Sequence, residues 1–466
     1  MWKRRSLMFV VGVGDVAFIL LGFLLAFEIR FGWDVTAARL APLAQVAPYV
    51  VGAGLVLLWL FDLYTVANRE ASELVSGVMV WALALLVLTM ALSFFLRAFA
   101  FPRSVLVIAT ALHTILLSAW RISLQRMVSL FQSGKELLVV IGHGNQKHCL
   151  LLEKLGKLRP RYKISRVVNA AEAAKLSAQA LHSAEAVCLD STIPWPLKED
   201  IVRRCLAQDK EVLLIPDFYD ILLHDAEVDK LDDLPVFRLD RLSLSRGQAL
   251  VKRAFDLVVA TVASVIALPL VPFIAIAVKL SSPGPVLYVQ KRVGLGGRPF
   301  DLYKFRTMVA NAEENTGPVL AAEDDPRITK VGRFLRATRL DELPQLINVI
   351  KGDMSFVGPR PERPMFVEQL SETIPEYGYR LKVRPGITGL AQVQGKYDTD
   401  PADKLRYDLY YIRNYSPLLD LQLLLQTARV ILRPQAAKGL PRARAAWPTA
   451  DGERASLAKG LGESES

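Results

Sequence analysis

Asp341 and Glu342 are adjacent carboxylates among cations: Arg336 and Arg339 come just before them, and Arg360, clamped between prolines, follows about one helix length later. A carboxylate that attacks a phosphate needs such cations, because both partners are anionic. An aspartate, with an ordinary pKa of ~3.9, is ionised at pH 7 and needs no general base to form an aspartyl phosphate. The two carboxylates can then divide roles, one attacking and one helping to hold Mg²⁺, and both Asp341 and Glu342 are candidate ligands. Alternatively, the two acids only pair with arginines on a solvated helix face, the reading that an isolated Asp-Glu dipeptide favours.

Further candidate cations lie on a predicted β-hairpin upstream. The segments Val286–Arg292 and Pro299–Met308 alternate in polarity as strands do, around the turn Gly294-Leu-Gly-Gly297. Lys304 and Arg306 share one face of the second strand, so both are candidates to bind a phosphate.

The carboxylate pair is predicted to lie at a break between two helices. Val331–Arg339 and Pro344–Lys351 read as helices, and Leu343-Pro344 separates them because a residue before proline avoids the α region. The pair would then sit near a helix N-terminus, where free N–H groups bind anions. Arg384 to Gly389 reads as a tight turn, and Tyr407–Tyr415 and Leu418–Leu432 read as helices.

The composition restricts both the chemistry and the partner. The five histidines all lie at or before His224, so the C-terminal half must use carboxylates, Lys, Arg, Ser, Thr or Tyr. Cys149, Cys188 and Cys205 lack the spacing of a zinc site or a disulfide framework. The net charge of +11 predicts an anionic partner, and because nucleic-acid-binding signatures are not evident, we expect lipid and phosphate and no nucleic acid.

Four segments before residue 125 are long and apolar enough to span a membrane, and hydrophobic residues make up 52% of the chain. The segments are 9–27, 40–61, 74–96 and 104–120. Basic residues before the first and after the fourth, Arg121 among them, place both ends in the cytoplasm. A cleaved signal peptide is the alternative for the first segment, but no cleavage site follows it. Asp15 is either a functional acid or one that faces the bundle near an interface.

Leu257 to Val278 is a fifth apolar stretch, without any charge, that reads either as another span or as a re-entrant hairpin. Pro269 and Pro272 break its middle, and both flanks are basic, with Lys252 and Arg253 before it and Lys279 after it. A full crossing would also put the phosphate-binding residues outside the cell. We therefore expect a helix that enters and leaves on the cytoplasmic side.

Residues 135–240 alternate strands with helices, which predicts a parallel α/β sheet. Gly142-x-Gly144 follows the first predicted strand, but Lys147 stands where a dinucleotide fingerprint has its third glycine. We therefore expect a Rossmann-like module without a nucleotide. The predicted domains are a transmembrane domain at 1–130 and the α/β domain at 131–245. A third domain at 246–436 contains the re-entrant helix at about 252–280, and a disordered tail follows at 437–466.

Five motifs in residues 249–436 resemble the bacterial sugar transferase family, the monotopic polyprenyl-phosphate hexose-1-phosphate transferases. The motifs are Lys252-Arg-Ala-Phe-Asp256, Tyr303-Lys-Phe-Arg-Thr-Met308, Leu340-Asp-Glu-Leu-Pro-Gln345, Lys351-Gly-Asp-Met-Ser-Phe-Val-Gly-Pro-Arg-Pro361 and Val383-Arg-Pro-Gly-Ile-Thr-Gly-Leu-Ala-Gln392. The earlier helices and α/β module resemble its large subclass, though less specifically. The implied fold is a four-helix transmembrane bundle, an α/β Rossmann-like middle domain and a mixed α+β catalytic domain with a re-entrant membrane helix.

The resemblance implies a two-step reaction at the bacterial inner membrane. The aspartate that matches Asp341 attacks the sugar-linked phosphate of a UDP-hexose, UMP leaves, and undecaprenyl phosphate takes the phosphosugar. Glu342 matches the partner acid at the Mg²⁺ site, and Pro269 matches the proline that breaks the membrane helix. The phosphate- and nucleotide-binding positions are expected at Lys304, Arg306, Arg336, Arg360 and Arg384. A multi-pass protein, a cytoplasmic catalytic domain and a homodimer are expected.

Two other classes compete with this interpretation. An NAD-dependent nucleotide-sugar modifying membrane enzyme would need a complete dinucleotide fingerprint and usually a Tyr-x-x-x-Lys pair, and none of the 13 tyrosines has Lys four residues on. A non-enzymatic assembly factor is the third class. Leu268 stands where relatives have serine before the proline, so the break must satisfy its backbone differently. Leu390 and Lys396 replace a common Trp and Arg, so the sequence does not identify the hexose.

Overall fold

The computed structural model describes a set of segments that leaves out several connections and the C-terminal tail: residues 2–32, 37–65, 70–95, 102–131, 134–142, 151–152, 154–156, 161–175, 183–224, 226–239, 241–310, 312, 325–395 and 399–431. Contacts within the chain define two compact units, Met1–Asp240 and Arg241–Ser466. Each unit is described by itself below. The predicted disordered tail lies outside the described residues.

Four long apolar helices begin the first unit and confirm the prediction of a membrane-anchored chain. They are α1 (Trp2–Phe31), α2 (Ala37–Leu60), α3 (Ala71–Phe95) and α4 (Arg103–Phe131). Each contains an apolar stretch of at least 18 residues, long enough to cross a bilayer. Small residues let these helices approach closely: Trp81 donates from Nε1 to the carbonyl of Gly54 at 2.9 Å.

A buried ion pair ties the first helix to the fourth. Arg121 Nη2 lies 2.7 Å from Asp15 Oδ2, and both side chains are fully buried. Arg121 Nη1 also donates to the carbonyl of Leu63 at 2.7 Å. Asp15 therefore faces the bundle, one of the two predicted alternatives. The placement of Arg121 among the basic residues after the fourth span was wrong, because α4 continues to Phe131 and buries the guanidinium against a carboxylate.

The rest of the first unit contains the predicted parallel sheet. Its strands run in the order β2-β1-β3-β4, all parallel: β1 (Lys135–Ile141), β2 (Tyr162–Asn169), β3 (Ala186–Leu189) and β4 (Glu211–Leu214). Four consecutive residues of β1 are buried, as in a strand covered on both faces. Helices α5, α6 and α7 accompany the sheet: Ala170–Ala174, Trp195–Leu206 and Phe218–Leu223. Gly144 and Lys147 lie outside the described residues, so the dinucleotide turn stays a prediction.

An antiparallel hairpin that we did not predict ends this unit. It comprises β5 (Glu227–Leu231) and β6 (Leu234–Arg238). Asp232 in the turn has φ of 60°, a left-handed conformation that aspartate tolerates better than most residues.

The second unit begins with a bent pair of helices, α8 (Arg246–Ala267) and α9 (Val271–Ser281), which meet at 65°. Pro269 lies between them and Pro272 occupies the first turn of α9, where proline is tolerated. The N–H groups at the break are satisfied without a serine: Leu268 donates to Ser264 O at 2.8 Å and Leu270 donates to Ala267 O at 2.9 Å. The bend fits either a broken span or the re-entrant hairpin, which stays a prediction.

The remaining elements form a mixed α+β layer. The strands are β7 (Leu287–Val293), β8 (Pro299–Phe305), β9 (Ser355–Val357) and β10 (Gly386–Thr388). The helices are α10 (Lys330–Ala337), α11 (Gln345–Lys351), α12 (Pro364–Thr373), α13 (Leu390–Gln394), α14 (Pro401–Arg413) and α15 (Pro417–Ile431). The antiparallel pairing of β7 with β8 confirms the predicted hairpin. The tight turn predicted from Arg384 to Gly389 was wrong, since Gly386–Thr388 pairs in parallel with β9.

Candidate active site

The carboxylate pair occupies a single 3₁₀ turn, Leu340–Glu342, between α10 and α11. Arg339 precedes it with φ of 59°, a left-handed conformation that is rare for arginine and reverses the chain. The turn closes through a hydrogen bond from Glu342 N to Arg339 O at 3.2 Å. This confirms the predicted helix break, and strained backbone of this kind often occurs at functional sites.

Glu342 is the centre of a cluster of cations. Its Oε1 accepts from Arg360 Nη2 at 2.7 Å and from Lys304 Nζ at 3.1 Å, and lies 3.6 Å from Arg339 Nη1. Burial opposes ionisation of this carboxyl, but the charges of Arg360, Lys304 and Arg339 outweigh it and hold the pKa well below its usual range. Glu342 is therefore a fixed negative charge at neutral pH.

Asp341 lies in a different electrostatic environment although it is the next residue in the chain. Its side chain is buried, and Oδ1 has no hydrogen-bond partner among the described residues. Burial raises the pKa of Asp341 and the charge of Glu342 adds to this, while Lys304, Arg336 and Arg339 oppose the rise. A carboxylate with few hydrogen bonds and a raised pKa is a better nucleophile than one that is fully bonded.

Of the five predicted phosphate-binding cations, the structure brings three to the carboxylate pair. Lys304 and Arg360 contact Glu342, and Arg336 acts on Asp341 through its charge while its Nε donates to Thr307 Oγ1 at 2.8 Å. The sequence separations of Lys304 and Arg360 from Glu342 are 38 and 18 residues, so only the tertiary fold assembles this group.

The other two predicted cations bind backbone carbonyls elsewhere. Arg306 is buried and donates to Ser282 O at 2.7 Å, just after α9 ends. Its guanidinium lies over Gly284, where a Cβ would approach Nη1 to 2.1 Å and where φ is 123°, so only glycine fits. Arg384 donates from Nε to Gly352 O at 2.9 Å. A role for Arg306 and Arg384 in binding substrate stays a prediction.

Three charged residues near Arg360 were not predicted. Arg292 lies 3.5 Å from Glu362 and donates to Pro361 O at 3.0 Å, and Lys404 adds its charge close to Glu362. Burial lowers the pKa of Arg292 to about 10; Glu362 opposes this effect, and Arg360 and Arg363 add to it. The alternation of the β7 sequence placed Arg292 on a strand, but nothing local predicted its distant partner.

A small, shallow cleft opens beside Arg360. Its walls combine prolines and aliphatic residues with charged side chains: Val293, Gly294, Pro359, Arg360, Pro361, Glu362, Val367, Arg380, Leu381, Val383 and Pro385. The cleft thus adjoins the cation that Glu342 binds most closely.

The bent pair of helices exposes a continuous apolar surface. Val258, Val262, Val265 and Ile266 on α8 and Phe273 and Ile276 on α9 are all exposed. Patches of this extent on a soluble surface are unusual and mark an interaction with membrane or protein. Because the pair also has the length and apolarity of a membrane segment, we take this surface to face lipid.

Comparison with known proteins identifies the second unit. The model of the bacterial sugar transferase family matches residues 247–434, which include the bent pair, the hairpin and the carboxylate turn. The chain is 45% identical over 186 residues to a UDP-glucose:undecaprenyl-phosphate glucose-1-phosphate transferase of Caulobacter vibrioides, and the match covers 39% of this chain and 69% of that protein. The chain therefore belongs to the bacterial sugar transferase family.

Two longer relatives carry related names. The chain is 46% identical over 206 residues to a UDP-N-acetylgalactosamine-undecaprenyl-phosphate N-acetylgalactosaminephosphotransferase of Aeromonas hydrophila, covering 44% of this chain and 48% of that protein. It is 44% identical over 221 residues to a UDP-glucose:undecaprenyl-phosphate glucose-1-phosphate transferase of Escherichia coli K12, covering 46% and 47%. The match thus spans about half the length of these two relatives, whose names specify different sugars.

Proposed function

We propose that the chain transfers a hexose-1-phosphate from a UDP-hexose to undecaprenyl phosphate and releases UMP, the first step in building an exopolysaccharide, capsule or O-antigen. The observation that carries the proposal is the buried Asp341–Glu342 turn, where Glu342 Oε1 binds two cations and the adjacent Asp341 has a raised pKa. The names of the relatives support the substrate classes.

In the first step, a carboxylate oxygen of Asp341 attacks the phosphorus next to the sugar. A phosphorus–oxygen bond forms to the aspartate, the bond to the bridging oxygen breaks, and UMP leaves with that oxygen. Lys304, Arg336 and Arg360 lie where they can neutralise the charge of the diphosphate, which is the main requirement of phosphoryl transfer. Glu342 holds Lys304 and Arg360 in place by accepting hydrogen bonds from both.

The donor set fits Mg²⁺. The described residues contain no group of three metal-ligating side chains, but Mg²⁺ commonly takes one or two carboxylates and completes its shell with waters and substrate phosphates. Asp341 and Glu342 supply the two carboxylates, and the unpartnered Oδ1 of Asp341 suits such a bond. Bound there, Mg²⁺ would offset negative charge on the diphosphate.

In the second step, a phosphate oxygen of undecaprenyl phosphate attacks the phosphorus of the aspartyl intermediate. The bond to Asp341 breaks, its carboxylate is restored, and a lipid-linked diphosphosugar forms. The exposed apolar surface of the bent pair supports this acceptor, because it holds the catalytic unit at the bilayer where such a lipid resides. We further propose that this bilayer is the inner membrane and that the catalytic unit is cytoplasmic.

The test is a transfer assay with membranes, Mg²⁺, undecaprenyl phosphate and a panel of radiolabelled UDP-hexoses. We expect UMP release and label in the lipid phase with one or a few sugars. Asp341→Asn should lower turnover by at least about a thousandfold, the scale on which loss of a nucleophile acts. Asp301→Asn, which changes a partly exposed carboxylate that pairs with Lys291, is the matched control and should leave turnover unchanged. Full activity in Asp341→Asn would disprove the assignment.

A further inference from the structure

The Lys252-Arg-Ala-Phe-Asp256 motif is the part of the sequence match to which the reaction above gives no task. Its two cations were expected to mark the basic flank of the membrane segment. In the structure all three charged side chains instead bind protein groups, and Lys252 and Asp256 are buried. Lys252, Asp256 and Ala260 recur at a spacing of four, so they share the face of α8 that packs on its own unit.

Lys252 binds the last helix of the unit. Its Nζ lies 2.6 Å from Asp420 Oδ2 on α15, and both side chains are almost fully buried. The hydroxyl of Tyr411 on α14 donates to the other oxygen of Asp420 at 2.7 Å. A buried pair of this kind stabilises one arrangement strongly, because removal of either partner leaves an unpaired charge in the interior.

Asp256 binds the strand β9. Its Oδ1 accepts from Ser355 Oγ at 2.8 Å and from Phe356 N at 3.0 Å, both on β9. The two contacts bridge about a hundred residues of sequence, so they attach α8 to the core of the unit.

Arg253 binds the helix that follows the carboxylate turn. Its Nη1 donates to Val349 O at 2.6 Å and its Nη2 to Ile350 O at 2.8 Å, two of the last carbonyls of α11. A cation that binds these carbonyls satisfies groups that a helix leaves without partners and also complements its dipole.

The helix α11 is connected to both sides of the site. Its first residue, Gln345, follows Glu342 by three positions. Asn348 within it accepts from Tyr303 N at 3.2 Å and donates to Asp301 O at 2.7 Å, which fixes β8 beside Lys304. Movement of α11 would therefore displace Glu342 and Lys304 together.

We infer that the motif is a positioning segment, in which Arg253 transmits the placement of the membrane helix α8 to α11 and so sets where Asp341 stands relative to the lipid acceptor. Lys252 and Asp256 hold α8 on the unit, and Arg253 connects α8 to α11, the helix that follows the carboxylate turn. Arg253 touches neither substrate in this scheme. The inference rests on the proposed function for its kinetic readout, but its structural readout is independent of activity.

The experiment compares Arg253→Ala and Arg253→Lys with Arg246→Ala, a matched control that removes an exposed arginine from the same helix. Hydrogen exchange is measured on the full chain in lipid nanodiscs. We expect faster exchange at residues 340–351 in Arg253→Ala and no change in Arg246→Ala. Arg253→Lys should show a smaller increase, because an ammonium keeps the charge but lacks the rigid fork with which the guanidinium binds two carbonyls.

Kinetics give the second readout. We expect kcat for transfer to undecaprenyl phosphate to fall about 10- to 100-fold in Arg253→Ala, the effect of a misplacement of about 1 Å. The KM for the UDP-hexose should stay near that of the unsubstituted chain, and Arg253→Lys should recover part of kcat.

Unchanged exchange at residues 340–351 in Arg253→Ala would overturn the inference. So would faster exchange spread evenly over the whole unit in both Arg253→Ala and Arg253→Lys, with no larger increase at residues 340–351. A KM for the UDP-hexose that rises as much as kcat falls would also contradict it. Lack of transfer by the unsubstituted chain with every UDP-hexose would overturn the proposed function instead, and the exchange comparison would still decide the role of Arg253.

Discussion

Asp341 and Glu342 show how two carboxyl groups in one turn acquire opposite properties. Three cations, Arg360, Lys304 and Arg339, hold the pKa of Glu342 well below its usual range, while burial and the charge of Glu342 raise that of Asp341. The pair shares these charges, so its titration is coupled. The arrangement keeps Glu342 ionised as an anchor for cations and leaves Asp341 as the proposed nucleophile.

The coupling predicts the direction in which the pH profile moves. Asp341 must be ionised to attack, so activity rises with pH through its raised pKa. Lys304→Met removes a charge that lowers this pKa, so we expect the acid limb of kcat/KM to move to higher pH. Residual turnover measured from pH 4 to 8 tests this, with the exposed Arg333→Met as control. A limb that stays in place would contradict the assignment of Asp341 as nucleophile.

The opposite shift is expected for Glu342→Gln. The charge of Glu342 raises the pKa of Asp341, so its removal should move the acid limb to lower pH while turnover falls. The same pH series measures it. An acid limb that moved to higher pH would contradict this coupling, and a limb that disappeared would mean that Glu342, and not Asp341, titrates in the reaction.

At the scale of elements, the bent pair α8–α9 has the length and apolarity of a membrane segment, and we propose that it sets how the second unit contacts the membrane. The N–H groups of Leu268 and Leu270 at the break both donate to carbonyls of α8, with leucine and not serine before Pro269. Re-entry predicts that both ends of the pair face one side. Single cysteines at Arg241 and Lys291 in a cysteine-free chain should react with an impermeant maleimide from the cytoplasmic side of inverted vesicles. Reaction of the two from opposite sides would establish a full crossing.

The Asp15–Arg121 pair is a second element-scale feature that can be tested. Arg121→Leu leaves Asp15 unpaired in the bundle, and breaking a buried pair in this way costs roughly 3–5 kcal/mol. Replacing both partners, with Asp15→Leu and Arg121→Leu together, should recover most of the loss. Thermal unfolding of the detergent-solubilised chain measures the difference, and Arg126→Leu serves as control. A double variant no more stable than Arg121→Leu would contradict a specific pair.

At the scale of the whole molecule, the family match covers residues 247–434, which lie within the second compact unit. The match to the Caulobacter vibrioides relative covers 186 residues, 69% of that protein. We therefore expect a variant that begins at residue 241 to insert in membranes and keep the transfer reaction. Lipid-phase label above that of its Asp341→Asn counterpart checks this, and a folded, inserted but inactive variant would assign the first unit an essential role.

Features that depend on neighbouring residues were predictable from the sequence. Uncharged stretches gave the four apolar helices, alternation gave the hairpin that carries Lys304, and proline gave the break at Asp341 and Glu342. Features that depend on distant contacts were not. Arg292 contacts Glu362 across 70 residues of sequence. The strand β10 forms by pairing with β9, so the residues of Arg384 to Gly389 alone predicted a turn instead. Arg121 was misplaced for the same reason, since its partner is Asp15 in the first helix.

The distance in sequence between Asp15 and Arg121 has a consequence for biosynthesis. The first helix enters the bilayer with its carboxylate unmatched, and its partner is synthesised 106 residues later. At about 5–20 residues per second this delay lasts several seconds or more. During that interval the nascent chain must be sheltered by the insertion machinery or by water at the interface. Chains that stall before the fourth helix would carry an exposed intramembrane acid, a mark by which membrane quality control can recognise unfinished protein.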